Sequence, residues 1–221
     1  MTALCWPPIL VITDRSQCAE PLEARAAALF RGGCRWLSLR EKDLEPAERR
    51  SLLGRLIAVA QPFGAAVGIH DDLAAAMACN VPLHLPSESD IVAARRALKK
   101  GQLFGKSCHN RGDVIAAARD GADYATLSPF FPTASKPGYG SSLDLAALNK
   151  IAAESALPVL ALGGITRVTL PKLVDSGVKG VAIMGEAMRT ANPQAWFAEI
   201  MESLTQTYTG PTKDSPASRK G

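Results

Sequence analysis

Short apolar runs alternate with helical segments along most of this chain, and that alternation constrains its fold more than any other feature. Eight runs are predicted to be strands, from Pro8–Thr13 (PILVIT) to Gly180–Met184 (GVAIM), and a helix is predicted after each. Strict alternation of strands and helices predicts a parallel sheet. Eight such units close into a (β/α)₈ TIM barrel, so we predict an α/β fold with a single domain. A doubly wound open sheet is the alternative.

Composition bounds the class of protein. The domain is predicted to span residues 1–207, and the polar residues 208–221 are predicted to be a disordered tail. No dense Lys/Arg run interleaved with aromatics is present, which argues against a nucleic-acid partner. No apolar run reaches the roughly 20 residues that cross a bilayer. Five cysteines without a CxxC pair and the lack of a signal-peptide pattern predict reduced thiols and a cytoplasmic location.

Polar, charged and glycine residues follow the predicted strands. Active sites of TIM barrels lie at the carboxyl ends of the strands, so these residues are expected to meet on one rim. A strand also ends wherever polarity begins, which explains any single position but explains all eight together poorly. The residues are Asp14, Arg40, Lys42, His70, Asp71, Ser87, Glu88, Ser107, His109, Ser128, Gly163, Gly164 and Gly185.

The last two strand ends predict a phosphate site. Gly163–Gly164 follows strand seven and Met184–Gly185 follows strand eight. Backbone N–H groups of those two loops commonly bind phosphate in TIM barrels, so we expect a small phosphorylated ligand. Lys136 lies in the loop after strand six and is predicted to close over the anion as part of a lid. A solvated surface lysine is the alternative.

His109 is the candidate proton shuttle, because it follows strand five directly and an imidazole titrates near neutrality. A structural hydrogen bond is the alternative role. His84 lies inside an apolar run and is expected in the core. Asp71 and Glu88 are weak candidates for Mg²⁺, since their spacing does not require a metal. No cofactor is therefore expected.

Several stretches closely resemble the thiamine phosphate synthase/TenI superfamily. They are GADYATLSPFFPTASKPGYG, PVLALGGIT and GVKGVAIMGEAM, together with VITDR, LREKD and GKSCH, and the resemblance covers about residues 8–205. It implies a cytoplasmic (β/α)₈ barrel, commonly dimeric, that acts on a thiazole phosphate. A homodimer with a small phosphorylated thiazole substrate and no nucleic-acid or membrane partner is the expectation.

The superfamily has two main branches. The synthase branch joins a pyrimidine diphosphate to thiazole phosphate, with Mg²⁺ and loss of pyrophosphate. It typically carries Gln-x-Arg-x-Lys after strand two and Asn-Asp-Arg after strand three, whereas here Ser38 replaces the glutamine and Asp72 replaces the arginine. Aspartate repels a diphosphate that arginine would clamp, so the diphosphate half of the site is expected to be degraded.

The TenI branch resembles the remaining motifs better. It carries Leu-Pro-Ser after strand four and Gly-x-Ser-x-His after strand five, as at Leu85–Ser87 and Gly105–His109. This resemblance predicts a thiazole tautomerase, an isomerase in which His109 moves a proton. A thiamine phosphate synthase with Mg²⁺, a transferase, is one alternative, and a non-catalytic sensor of thiazole or thiamine phosphate is another. A relative with a different phosphorylated substrate also stays open.

The resemblance assigns expected roles to the rim. Arg40 or Lys42 would pair with a ring carboxylate, and Lys136 would close over the phosphate. The full set of expected substrate contacts is Arg40, Lys42, Ser107, Ser128, Thr133, Lys136, Gly163, Gly164, Met184 and Gly185.

Overall fold

All eight predicted strands form, and they pair in chain order. The computed structural model describes residues 8–132 and 144–209. Each strand is parallel to its neighbours, and β1 pairs with β8 through Ile9–Val181 and Val11–Ile183, which closes the sheet into a barrel. The predicted single-domain (β/α)₈ barrel is therefore confirmed. The strands are β1 (Ile9–Ile12), β2 (Trp36–Leu39), β3 (Ala66–His70), β4 (Leu83–Leu85), β5 (Phe104–Cys108), β6 (Tyr124–Leu127), β7 (Val159–Leu162) and β8 (Gly180–Ile183).

Helices cover the outside of the barrel, and local capping chemistry sets where they begin. Asp90, Asn110 and Asp144 each accept hydrogen bonds from backbone N–H groups in the first turn of the helix that follows. The helices are α1 (Leu22–Arg31), α2 (Pro46–Ala60), α3 (Leu73–Cys79), α4 (Ile91–Ala97), α5 (Arg111–Arg119), α6 (Leu145–Glu154), α7 (Gly185–Arg189) and α8 (Pro193–Thr209). Within the described residues, no helix is both long and apolar enough to cross a membrane.

The connection between β7 and β8 differs from the prediction. A helix was expected over Val168–Asp175, but the structure has only a 3₁₀ turn at Leu170–Leu173. Pro171 lies in its first turn, where a missing N–H is tolerated, and a longer helix would place that proline in its interior. The short helix α7 was not predicted, and α8 continues to Thr209, past the predicted domain end at residue 207.

The barrel interior is apolar at one end and polar at the other. Leu10, Trp36, Tyr124 and Leu160 form a buried cluster inside the ring, with the Trp36 and Tyr124 rings edge to face at 4.8 Å. Gly105 leaves room for the Tyr124 ring, since a Cβ at that position would overlap it. This apolar cluster fills the barrel interior and forms the floor of a pocket at the carboxyl ends of the strands.

Candidate active site at the carboxyl ends of the strands

A cavity of about 640 Å³ opens at the carboxyl ends of the strands. It is lined by every predicted catalytic and substrate-binding residue that the structure describes, namely Arg40, Lys42, Ser107, His109, Ser128, Gly163, Gly164, Met184 and Gly185. The strand-end residues Asp14 and Asp71 are not part of its wall. Thr133 and Lys136 lie outside the described residues. A larger cavity of about 1020 Å³ lies around Trp36 and Leu103 at the opposite end of the barrel, adjoining residue 8, where the description begins. Barrel chemistry belongs to the carboxyl end, so the smaller cavity is the candidate site.

The charged segment Arg40–Asp43 follows β2. Its two basic side chains line the pocket, and its two acidic side chains bind Arg15. Arg40 and Lys42 line the pocket. Glu41 is 2% exposed, and both its oxygens accept hydrogen bonds from the backbone N–H of Arg15 at 3.1 Å. Asp43 accepts from the Arg15 guanidinium at 2.7 Å. The two acids are thus held by Arg15, and the two cations are presented to the pocket.

The loop after β7 has a conformation that requires glycine. Gly163 and Gly164 have φ angles of 97° and 61°, which L side chains rarely adopt. A Cβ on Gly164 would also overlap the Pro132 carbonyl oxygen. The loop after β6 is bonded to this segment, because Phe130 N–H donates to Leu162 O at 2.9 Å and Phe131 N–H donates to Gly163 O at 3.1 Å. The glycines therefore allow two loops to pack together at the rim of the pocket.

His109 is oriented by the end of β6. Its Nδ1 lies 3.0 Å from the Ser128 carbonyl oxygen, and its backbone N–H donates to Asp113 at 2.8 Å. A carbonyl oxygen can only accept, so Nδ1 carries the proton, and in the neutral ring Nε2 carries the lone pair. The ring is thus held in one tautomer at the pocket wall.

His84 is a core residue, as expected. Its Nδ1 lies 3.0 Å from the Tyr124 hydroxyl and its Nε2 lies 3.0 Å from the Ser107 hydroxyl. His70 packs against it with ring centroids 4.9 Å apart, and its Nδ1 is buried without a hydrogen-bond partner in the described chain. Burial, with added repulsion from Arg40 and Lys42, lowers the pKa of His70 to about 3. Burial also holds the pKa of His84 well below its usual value. Both imidazoles are neutral at physiological pH.

Of the two acidic residues considered as Mg²⁺ ligands, Glu88 lies in the pocket wall and Asp71 does not. Glu88 lines the pocket, and hydrogen bonds from a backbone N–H and the Ser87 hydroxyl lower its pKa, with Lys42 and His109 nearby. Asp71 is exposed and is not part of the pocket wall. Among the described residues no group of three His, Cys, Asp or Glu side chains is placed to hold a metal ion. A single ionised carboxylate fits the way Mg²⁺ is bound when substrate phosphates supply most of its ligands.

Asp72 does not face the pocket. It is the N-cap of α3, where its carboxylate accepts from Ala75 N–H at 2.8 Å, and it lies 3.4 Å from the Arg49 guanidinium. Its charge therefore stabilises the start of a helix and is balanced by a cation. The expectation that an acid at this position repels an anionic substrate is not supported by this geometry.

Several polar pocket residues were missed from the sequence, namely Thr166, Thr169, Glu186 and Arg189. Arg189, at the end of α7, lines the cavity. The available signal was its spacing, since it stands four residues after Gly185, and such positions share one face of a helix. Because α7 itself was not predicted, that spacing carried no meaning in the sequence alone.

The family model and the relatives at or above 30% identity indicate one family. A family model described as thiamine monophosphate synthase matches residues 9–187. A thiamine-phosphate synthase of Roseiflexus castenholzii is 33% identical over 90% of this chain and 88% of its own length. The thiamine-phosphate synthase of Chlorobium luteolum is 31% identical over 92% of this chain and 96% of its own. A thiamine phosphate pyrophosphorylase structure from Pyrococcus furiosus superposes with a TM-score of 0.80 at 23% identity, covering 90% and 96% of the two chains, which shows the shared fold.

The prediction of a thiazole tautomerase is wrong. The relatives above 30% identity are named as synthases, which are transferases, and none of these findings supports an isomerase. The prediction relied on the TenI-like motifs at Leu85–Ser87 and Gly105–His109 and on the replacement of an arginine by Asp72; the Asp72 side chain is a helix cap outside the pocket. The synthase alternative agrees better with the findings.

Proposed function

The chain belongs to the thiamine monophosphate synthase family, and from this we propose that it is a transferase that forms thiamine phosphate from a thiazole phosphate and a pyrimidine methyl diphosphate. The observation that carries the proposal is a single pocket holding two kinds of anion-binding feature. One is the pair of glycine-containing loops after β7 and β8, and the other is the Arg40–Lys42 pair after β2. Two phosphorylated substrates need two such features.

The proposed reaction requires neutralisation of the negative charge that develops on the leaving pyrophosphate, and it does not require a proton shuttle. The lone pair of the thiazole nitrogen forms a bond to the pyrimidine methylene carbon. The bond from that carbon to the diphosphate oxygen breaks, and pyrophosphate leaves with the electron pair, while the thiazole becomes a cationic thiazolium. No proton moves between carbon atoms. Fixed cations beside the leaving oxygens are the main contribution that a protein can make to such a step.

The pocket residues take roles that suit this demand. Arg40 and Lys42 would bind the diphosphate and neutralise the charge that develops on it. His109, whose Nδ1 donates to Ser128 O, could donate from Nε2 to the leaving group only as the imidazolium, since the neutral ring carries a lone pair there. Glu88 would hold Mg²⁺ together with the diphosphate oxygens, and the ion would supply further positive charge there. The loops of Gly164 and Gly185 would bind the thiazole monophosphate.

Two buried polar atoms support the binding of a heteroaromatic ring as the second substrate; His70 lines the pocket, and Ser38 lies on the neighbouring strand outside the pocket wall. The Ser38 hydroxyl and His70 Nδ1 are buried without a hydrogen-bond partner in the described chain. They lie on neighbouring strands, where β2 and β3 pair through Ser38 and Gly68. Unpaired buried polar atoms are rare and call for an explanation, and the amino group and ring nitrogens of a pyrimidine would satisfy them.

The test is a direct synthase assay. The parent protein, given thiazole phosphate, pyrimidine methyl diphosphate and Mg²⁺, is expected to release thiamine phosphate and pyrophosphate in equal amounts. Arg40→Gln and Lys42→Gln are expected to lower kcat by about 100-fold each, the usual cost of removing a group that stabilises developing charge. Arg119→Gln removes an exposed arginine paired with Asp120 and is the control.

Absence of product from the parent would contradict the proposal. If the parent then binds thiazole phosphate without turnover, the sensor alternative is favoured. The expected homodimer is also a prediction, which sedimentation of the purified chain would check.

A further inference from the structure

Arg189 lies against the backbone of the loop that follows β8. Its two terminal nitrogens are 2.6 and 2.8 Å from the position that a Cβ on Gly185 would occupy. The guanidinium therefore rests on the face of Gly185, at the wall of the pocket. Any side chain at residue 185 would have to displace it, so the glycine makes room for this arginine.

A short chain of hydrogen bonds holds the guanidinium in place. Arg189 donates to the side-chain oxygen of Gln17, and the amide nitrogen of Gln17 donates to Asp14 at 2.5 Å. Burial opposes ionisation of Asp14, but hydrogen bonds from Ser16 and Gln17 outweigh it and hold the pKa of the carboxyl below its usual value. Asp14 is therefore an anion that fixes the orientation of Gln17.

The partner of Arg189 is neutral. Eight arginines of the described chain form ion pairs with Asp or Glu, namely Arg15, Arg25, Arg49, Arg55, Arg95, Arg111, Arg119 and Arg167. Arg189 forms none within that part of the chain, although Glu186 also lines the pocket. A guanidinium bonded to a neutral amide keeps its net positive charge and therefore its attraction for an anion, whereas a carboxylate partner would cancel most of that charge.

The geometry points to Arg189 as a specificity-determining residue that binds the monophosphate of the substrate beside the loops after β7 and β8, with Gln17 as its positioning residue. The inference rests on the proposed function only for the identity of the ligand, a thiazole monophosphate. A planar guanidinium presents two parallel donors to phosphate oxygens, which a backbone loop alone does not. The pocket thereby distinguishes a phosphate from the corresponding alcohol.

The experiment measures binding rather than turnover. Calorimetry would give the Kd of hydroxyethylthiazole phosphate and of the unphosphorylated hydroxyethylthiazole for the parent and for Arg189→Gln. The variant is expected to bind the phosphate about ten- to a hundredfold more weakly and the alcohol equally well, since only the charge-assisted contact is lost. Arg31→Gln is the matched control, because Arg31 is an exposed arginine that also donates to a glutamine oxygen, that of Gln194, outside the pocket wall.

Two more variants separate binding from folding. Arg189→Lys keeps the charge and is expected to recover part of the affinity, and Gln17→Ala is expected to weaken phosphate binding by a smaller factor than Arg189→Gln. Equal losses for phosphate and alcohol in Arg189→Gln would overturn the inference, as would an unchanged phosphate Kd or a parent that binds no thiazole phosphate.

The two proposals fail differently. Binding that depends on Arg189 in a parent without synthase turnover contradicts the proposed function alone. Turnover with a thiazole phosphate KM that Arg189→Gln leaves unchanged contradicts this inference alone.

Discussion

The inner histidines show how single residues determine the charge of this pocket. His70 and His84 face each other inside the barrel, and neither ring has an acidic partner among the described contacts. The cations that suit an anionic substrate, Arg40 and Lys42, also disfavour a proton on His70. The pocket therefore has positive charge on the guanidinium and ammonium groups of Arg40 and Lys42, while the buried imidazole of His70 is neutral.

This arrangement makes stability depend on pH. In the unfolded chain His70 binds a proton near pH 6.5, and in the folded protein only near pH 3. Between those values the unfolded state binds more protons, so acid favours unfolding. The unfolding free energy of the parent is expected to fall as pH drops from about 6.5 to 5, with His70 contributing at most ~1.4 kcal/mol per pH unit. His70→Gln should show a shallower fall in denaturant titrations.

Above pH 7 the histidine is neutral in both states, so parent and variant should have the same slope there. Equal slopes between pH 6.5 and 5 would contradict the pKa assigned to His70.

At the scale of elements, the start of α3 explains why one sequence inference failed. Asp72 matches a position where the family carries an anion-binding arginine, and sequence alone cannot show which way a residue at a strand–helix junction points. In the structure it accepts from Ala75 N–H and is balanced by Arg49. The Asp72 side chain turns to the helix and not to the pocket, because the first N–H groups of a helix need a hydrogen-bond acceptor.

Substitutions at Asp72 test this assignment. Asp72→Ala is expected to lose about 1 kcal/mol of unfolding free energy, the typical cost of a lost cap, whereas Asp72→Asn should retain most of it because asparagine caps equally well. Neither should change the KM for the pyrimidine diphosphate by more than about twofold, because the pocket loses no ligand. A tenfold lower KM in Asp72→Asn would instead restore the repulsion hypothesis.

The joined loops after β6 and β7 give a second test at this scale. Gly164→Ala is expected to destabilise the protein by about 1–3 kcal/mol, since φ is 61° and the added methyl meets Pro132 O. It should also weaken thiazole phosphate binding, because the loop must shift. Gly54→Ala, in the middle of α2 with nothing near the added methyl, is the control and should stabilise by up to about 1 kcal/mol. Thermal unfolding and calorimetry measure both effects.

At the scale of the whole molecule, most of the barrel was accessible from sequence. Strand–helix alternation can be recognised from local sequence. Active sites of such barrels lie at the carboxyl ends of the strands, so the residues that follow each strand, such as Arg40, His109 and Gly164, could be predicted to line the pocket. Residues whose place depends on contacts distant in sequence were not accessible. Arg189 is held by a hydrogen bond to Gln17, which lies 172 positions away in the sequence. The Ser38 hydroxyl has no hydrogen-bond partner in the described chain, and only the packing of neighbouring strands shows this.

Closure of the ring also has a consequence for biosynthesis. Arg40 lies after β2, yet its guanidinium lies 4.0 Å from the sulfur of Met184, which follows β8. These groups become neighbours only when the last strand pairs with the first. A chain that ends after β7 therefore lacks the part of the pocket wall formed by Met184, Gly185 and Arg189. During synthesis, the complete pocket can form only after β8 and the residues that follow it have left the ribosome.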